Sequence, residues 1–341
     1  EHSETQIVGP LLYSTWDQSG GFNDSLPYIN CYGYPFQVYA GCVPIAMGQV
    51  MKYYSYPTNY NWASMPLDYG TTTTANFIKD IHNSIRNIYP SYPTYDCDGT
   101  GVSASANMGN VLITKFGYSS ASWANYNYST VKNNLNYNRP VILSGDNGTS
   151  GHMWVCDGYL EMSFYYSDCT GVTLTPLFHM NWGWGDSSYN GYYSYNNFNP
   201  GNTNFNNNKK MIYNIIQAEF SILNSENIDL LDPKNSEHLD TSKFKIFYQN
   251  NEVNNQNSDY PKGFKIYKHE KEYRIVVFLN HSEAEEKSTT YVHWNDNNID
   301  KIEVSYLRSN NGVIQSVIWL NGNKVWERGN NTIDPYFILR K

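Results

Sequence analysis

The order of its periodicities constrains this chain most: helical patterns come first and strand patterns follow. Gly41-Cys42-Val43-Pro44 opens a helix whose apolar residues Val43, Ala46, Met47, Val50, Met51 and Tyr54 recur every three to four positions. Pro44 is tolerated because the first helical turn has no use for its missing N–H. Pro57 ends the pattern. Further helices are expected over 75–88 and over 104–116, the latter stopped by Gly117. From Pro140 onward strands dominate, at 140–144, 152–160, 177–182, 191–195 and 211–223, with a turn at Gly145-Asp146-Asn147-Gly148. Helices followed by an antiparallel sheet predict an α+β domain.

Charge density changes near residue 225. Residues 1–224 carry 22 charged side chains, whereas residues 225–341 carry 32 in about half the length. The polar run Asn224–Asp229, followed by Asp232-Pro233, marks the break, so two domains are expected, 1–224 and 225–341. The second alternates short strands with turns, over 243–248, 263–268, 272–279, 289–294, 301–307, 312–320 and 324–327. The pairs Asn311-Gly312 and Asn321-Gly322 favour type I′ hairpins. A small all-β, sandwich-like accessory domain is the expectation. Asn-rich stretches at 202–208 and 250–257 read as mobile loops.

The net charge of −8 and pI near 5.5 argue against nucleic acid or an anionic membrane as a partner. No apolar run is long enough for a membrane span. The chain opens at Glu1 without a Met or a signal peptide and so reads as a processed form. Its five cysteines are Cys31, Cys42, Cys97, Cys156 and Cys169. They form no C-x-x-C pair, which argues against a zinc or redox site and leaves no cofactor to expect. The odd count leaves at least one thiol free. Cys156 and Cys169 bracket an apparent inserted hairpin over 164–176 and could pair, but spacing leaves the pairing open.

Cys42 stands where a helix start supplies partial positive charge and free N–H groups, which lower a thiol pKa. Position alone does not separate it from a small apolar filler. His152 follows Gly148 and Gly151, glycines that let another backbone approach. A Cys with a distant His and a later Asn is the arrangement of a thiol peptidase. Asn181, in Asn181-Trp182-Gly183-Trp184-Gly185, could accept from one imidazole N–H, with Trp182 shielding that bond. Gln18 could donate to an oxyanion beside the Cys42 N–H. His179 and Asp157 are decoys. Asp157 lies too far along an extended strand, and on the wrong face, to orient His152.

Four segments in order resemble the streptopain family of secreted bacterial cysteine peptidases. They are Leu11 through Gln18, Gly41 through Tyr54, Gly151 through Gly158, and His179 through Gly185. The likeness spans roughly residues 10–220. It implies a papain-like fold, Cys42 as nucleophile, His152 as base and acid, Gln18 at the oxyanion hole, and Asn181 with Trp182 as the orienting pair. The stretch Tyr95–Val102 resembles the family's cleft loop, so Gly101, Val102 and Gly151 are expected to meet an extended polypeptide substrate. An inhibitory pro-segment, secretion or cell-surface location, and an apolar side chain two residues before the cut are further implications. The rival readings are a thiol amidase or transglutaminase-like acyl transferase, and an adhesin or glycan-binding surface protein using Trp294, Trp319 and Trp326.

Overall fold

A computed structural model describes residues 2–57, 59–166, 171–173, 176–186, 189–248, 251–253, 261–269, 271–279, 287–309, 312–328 and 336–341. The fold mixes helices with mainly antiparallel sheets and is α+β. Contacts divide the chain into two compact units. One comprises Glu1–Tyr56, Ala63–Val111 and Ala121–Ile215; the other comprises Pro57–Trp62, Leu112–Ser120 and Ile216–Lys341.

Helix α1 spans Cys42–Tyr54 and is buried from Val43 through Met51. Helix α2, Thr72–Ile88, starts a turn earlier than the apolar pattern, because Thr71 caps it by accepting the Thr74 N–H at 3.2 Å. Helix α3, Met108–Phe116, starts later than expected, since 103–107 is turn. Its stop at Gly117 is as read, with φ of 72°. Helix α4, Tyr128–Asn136, was not legible as a pattern. Asn127 caps it, and Val131 and Leu135 are its buried apolar residues.

The long strand Gly151–Tyr165 is the spine of the main sheet. Its start pairs with Val141–Asp146 on one side, and its middle with Leu177–Asn181 on the other. Its far end pairs with His2–Val8 and Gly171–Thr173. A bulge at His179/Met180 leaves Asp157 without a partner across the ladder. The Asp157 carboxylate instead bonds His179 Nδ1 at 2.7 Å and the Leu12 N–H at 3.0 Å. Both decoys are thus committed to holding the N-terminal segment. Under the sheet lies a core of Val131, Leu143, Trp154, Phe178, Trp182 and Phe198. The first Asn-rich stretch is ordered there: Asn206 donates to Asn197, Asn199 and Asn204, and accepts from the Phe198 N–H. Residues 250 and 254–257 of the second lie outside the described residues.

The expected single strand 211–223 is two. Asn207–Ile216 belongs to the main sheet, and Glu219–Leu223 to a sheet of the second unit. There it lies between Glu272–Val277 and Tyr336–Arg340, the latter pairing in parallel. A six-stranded antiparallel sheet completes that unit, with Lys287–Asn295, Asn298–Ser309 and Gly312–Leu320 at its centre. Asn321 and Gly322 turn its last hairpin with φ of 51° and 84°, the paired positive values of a type I′ turn. The other hairpin tip, 310–311, lies outside the described residues. Trp294 and Trp326 are core residues, and Trp319 is half-buried beneath Lys287.

Candidate active site

Gly41 sets the entry to α1. It holds φ of 84°, a conformation that favours glycine, and an added Cβ would lie 3.0 Å from the Thr100 side chain. The cleft loop therefore packs directly against the residue before Cys42. Thr100 also donates its hydroxyl to the Tyr39 carbonyl. The loop is tied down further by a Cys31–Cys97 disulfide, and by Asp96, which accepts the N–H groups of Asp98 and Gly99. Cys156 is a buried free thiol in the core, and Cys169 lies outside the described residues.

Cys42 keeps partial exposure. Burial nevertheless pushes its thiol above the ordinary value of 9.0, against the backbone N–H groups of Met153, Val43 and Cys42, which pull it down. The helix start was expected to lower this pKa; desolvation outweighs it. Met153 follows His152 in the spine strand, so the thiol lies against the strand that carries the imidazole.

His152 is buried among Trp154, Trp182, Trp184 and Phe205, with ring centroids 4.7–6.1 Å away. Its Nε2 lies 2.8 Å from the Trp182 carbonyl oxygen. A carbonyl can only accept, so Nε2 carries the proton and Nδ1 holds the free lone pair in the neutral ring. Burial lowers its pKa to about 4, opposed by the Trp182 carbonyl. Burial thus disfavours the charged form of each group taken by itself.

One cavity of about 490 Å³ has Cys42, His152, Gly101, Val102 and Gly151 in its wall. The same wall includes Ala106, Met108 and Trp123. Gln18, Asn181 and Trp182 are not in it. Gln18 is tied to the site through its backbone, its carbonyl accepting the Ala40 N–H at 2.7 Å.

Asn181 does not orient His152. Its amide is already committed: Nδ2 donates to the Ser14 carbonyl at 2.7 Å, and Oδ1 accepts from Gln49 at 3.0 Å and from the Gly183 N–H at 3.2 Å. The imidazole partner is instead the carbonyl of the next residue, Trp182. Asn181 lies one step back, its Oδ1 accepting the Gly183 N–H across that carbonyl's peptide. Gln49, two helical turns beyond Cys42, is the residue that sequence reasoning missed. Its Oε1 accepts from Ser14 and from the Trp16 N–H, both at 3.1 Å, so it knits α1 to the Trp16 loop and to Asn181. Its place within Gly41–Tyr54 was the available signal, but only the fold supplies its partners.

The peptidase C10 family model matches residues 16–59 and 58–193. The thiol protease/hemagglutinin PrtT of Porphyromonas gingivalis is 28% identical over 229 residues, 56% of this chain and 24% of that protein. Streptopain of Streptococcus pyogenes is 26% identical over 207 residues, 47% of this chain and 46% of streptopain. The chain thus spans less than half the length of either relative. A solved fragment of Prevotella intermedia prointerpain A shares 24% identity, over 62% of this chain and 72% of that one, at a TM-score of 0.46.

Proposed function

Because this chain belongs to the peptidase C10 family, we propose that it is a cysteine endopeptidase with Cys42 as nucleophile and His152 as base and acid. The observation that carries this reading is the shared cavity, which Cys42, His152, Gly101, Val102 and Gly151 all line.

His152 Nδ1 takes the thiol proton as the sulfur attacks the substrate carbonyl carbon. The Nε2–H bond to the Trp182 carbonyl then supports the imidazolium. The resemblance to the streptopain family assigns the negative oxygen to the Cys42 N–H and the Gln18 side-chain amide, Gln18 being joined to the chain before Cys42 by its carbonyl. Collapse breaks the C–N bond, and Nδ1–H protonates the departing amine. This leaves a thioester, which water hydrolyses with Nδ1 again as base. Asn181, held by Gln49, fixes the Trp182–Gly183 turn, and Trp182 closes the imidazole off from water.

Gly101, Val102 and Gly151 would pair with an extended polypeptide substrate as an added strand. A papain-like arrangement of the first unit, an accessory β-sandwich in the second, secretion, and an inhibitory pro-segment before maturation belong to the same proposal. The test is Cys42→Ala assayed on unfolded casein. The variant is expected to lose all measurable hydrolysis; full activity would remove Cys42 from the mechanism.

A further inference from the structure

His82, on α2, is almost fully buried and has no part in the chemistry above. Its two ring nitrogens bond two different segments that lead to the site. Nε2 lies 2.8 Å from the Ala40 carbonyl oxygen, and Nδ1 lies 3.0 Å from the Tyr95 hydroxyl. The carbonyl must accept, so Nε2–H donates to it, and Nδ1 of the neutral ring accepts from Tyr95. Burial keeps the ring neutral, lowering its pKa to about 4.

We propose that His82 is a positioning residue that locks the backbone leading into Cys42 to the loop forming the substrate rim. The inference rests on Cys42 as the nucleophile. Ala40 is fully buried, two residues before Cys42, and its peptide groups are held from both directions: the N–H by the Gln18 carbonyl and the carbonyl by His82. Tyr95 ends the short strand Thr94–Tyr95, which pairs with Thr100–Gly101 at the cavity wall. The Tyr95 ring stacks on His82, and Arg86 of the same helix covers it at 5.3 Å while donating to the Pro93 carbonyl at 3.0 Å. Thr100 closes the circuit by packing on Gly41. A displaced His82 would release both the nucleophile's approach and the rim. A histidine serving only as core filler would be replaceable by any side chain of its volume.

The experiment compares His82→Leu with His82→Gln, whose amide nitrogen can still donate to Ala40. The readouts are kcat, KM, the rate at which iodoacetamide alkylates Cys42, and the thermal midpoint. His82→Leu is expected to lower kcat by roughly 10–100-fold and to change the alkylation rate, with His82→Gln restoring most of both. A folded His82→Leu enzyme with wild-type kcat and alkylation, or a His82→Gln enzyme no better than His82→Leu, would overturn the proposal. Should His82→Leu not fold, Tyr95→Phe carries the test: a KM raised several-fold supports the link to the rim, and an unchanged KM refutes it. Activity surviving in Cys42→Ala would instead overturn the underlying mechanism, a result separable from all of these.

Discussion

In the C-terminal unit, Phe220, Phe244, Trp294 and Phe337 fill the space between two sheets. Around Cys42 the construction differs. The core still supplies aromatic walls, but behind the cavity polar atoms are fixed by hydrogen bonds between residues distant in sequence: the Trp182 carbonyl with His152, Gln49 with Asn181, and His82 with Ala40. The first region needs shape and hydrophobicity. The second needs particular atoms at particular places, and holds them with groups that could not face the interior unpaired.

Phe220→Ala should produce the larger single-residue effect on stability. Phe220 stacks on Phe337 at 4.7 Å and meets Trp294 edge-on, so its loss should cost about 3–5 kcal/mol in urea unfolding. The kcat of the molecules that remain folded should not change. A matching fall in kcat per folded molecule would break the contrast between the two regions.

The next effect is a pH dependence. His82 and His152 are both held neutral by burial, at about 4. In the unfolded chain each would titrate near 6.5. The unfolded state therefore binds more protons between those values, so stability is fully present above about pH 6.5 and is lost as pH falls toward 4. The loss should be about 3 kcal/mol per histidine. Urea midpoints at pH 7 and 4.5 measure it. His82→Gln should flatten the profile, and a profile as steep as wild type would place the pH dependence elsewhere.

The same contrast explains what the sequence could reveal. α1 was legible because its apolar spacing and Gly41 are local, and the Asn321-Gly322 turn because its chemistry is local. Cys42 and His152 stood out through the company of glycines and the streptopain-like segments. The hydrogen bonds that fix them were not legible. Gln49 meets Asn181 across 132 residues and His82 meets Ala40 across 42. A side chain with several possible partners gives no sign in sequence of which one folding brings to it. Hence Asn181 was expected on the imidazole, where the structure puts the carbonyl of its neighbour Trp182. α4 escaped for a different reason: its two buried apolar positions are too few to mark a periodicity.

Labelling the protein with a peptidyl epoxide at pH 7, and mapping the modified residue by mass spectrometry, tests the central claim most directly. The account predicts a single adduct on Cys42, formed far more slowly in His152→Ala. An adduct on Cys156 with Cys42 untouched, or equal labelling of Cys42 without His152, would contradict it.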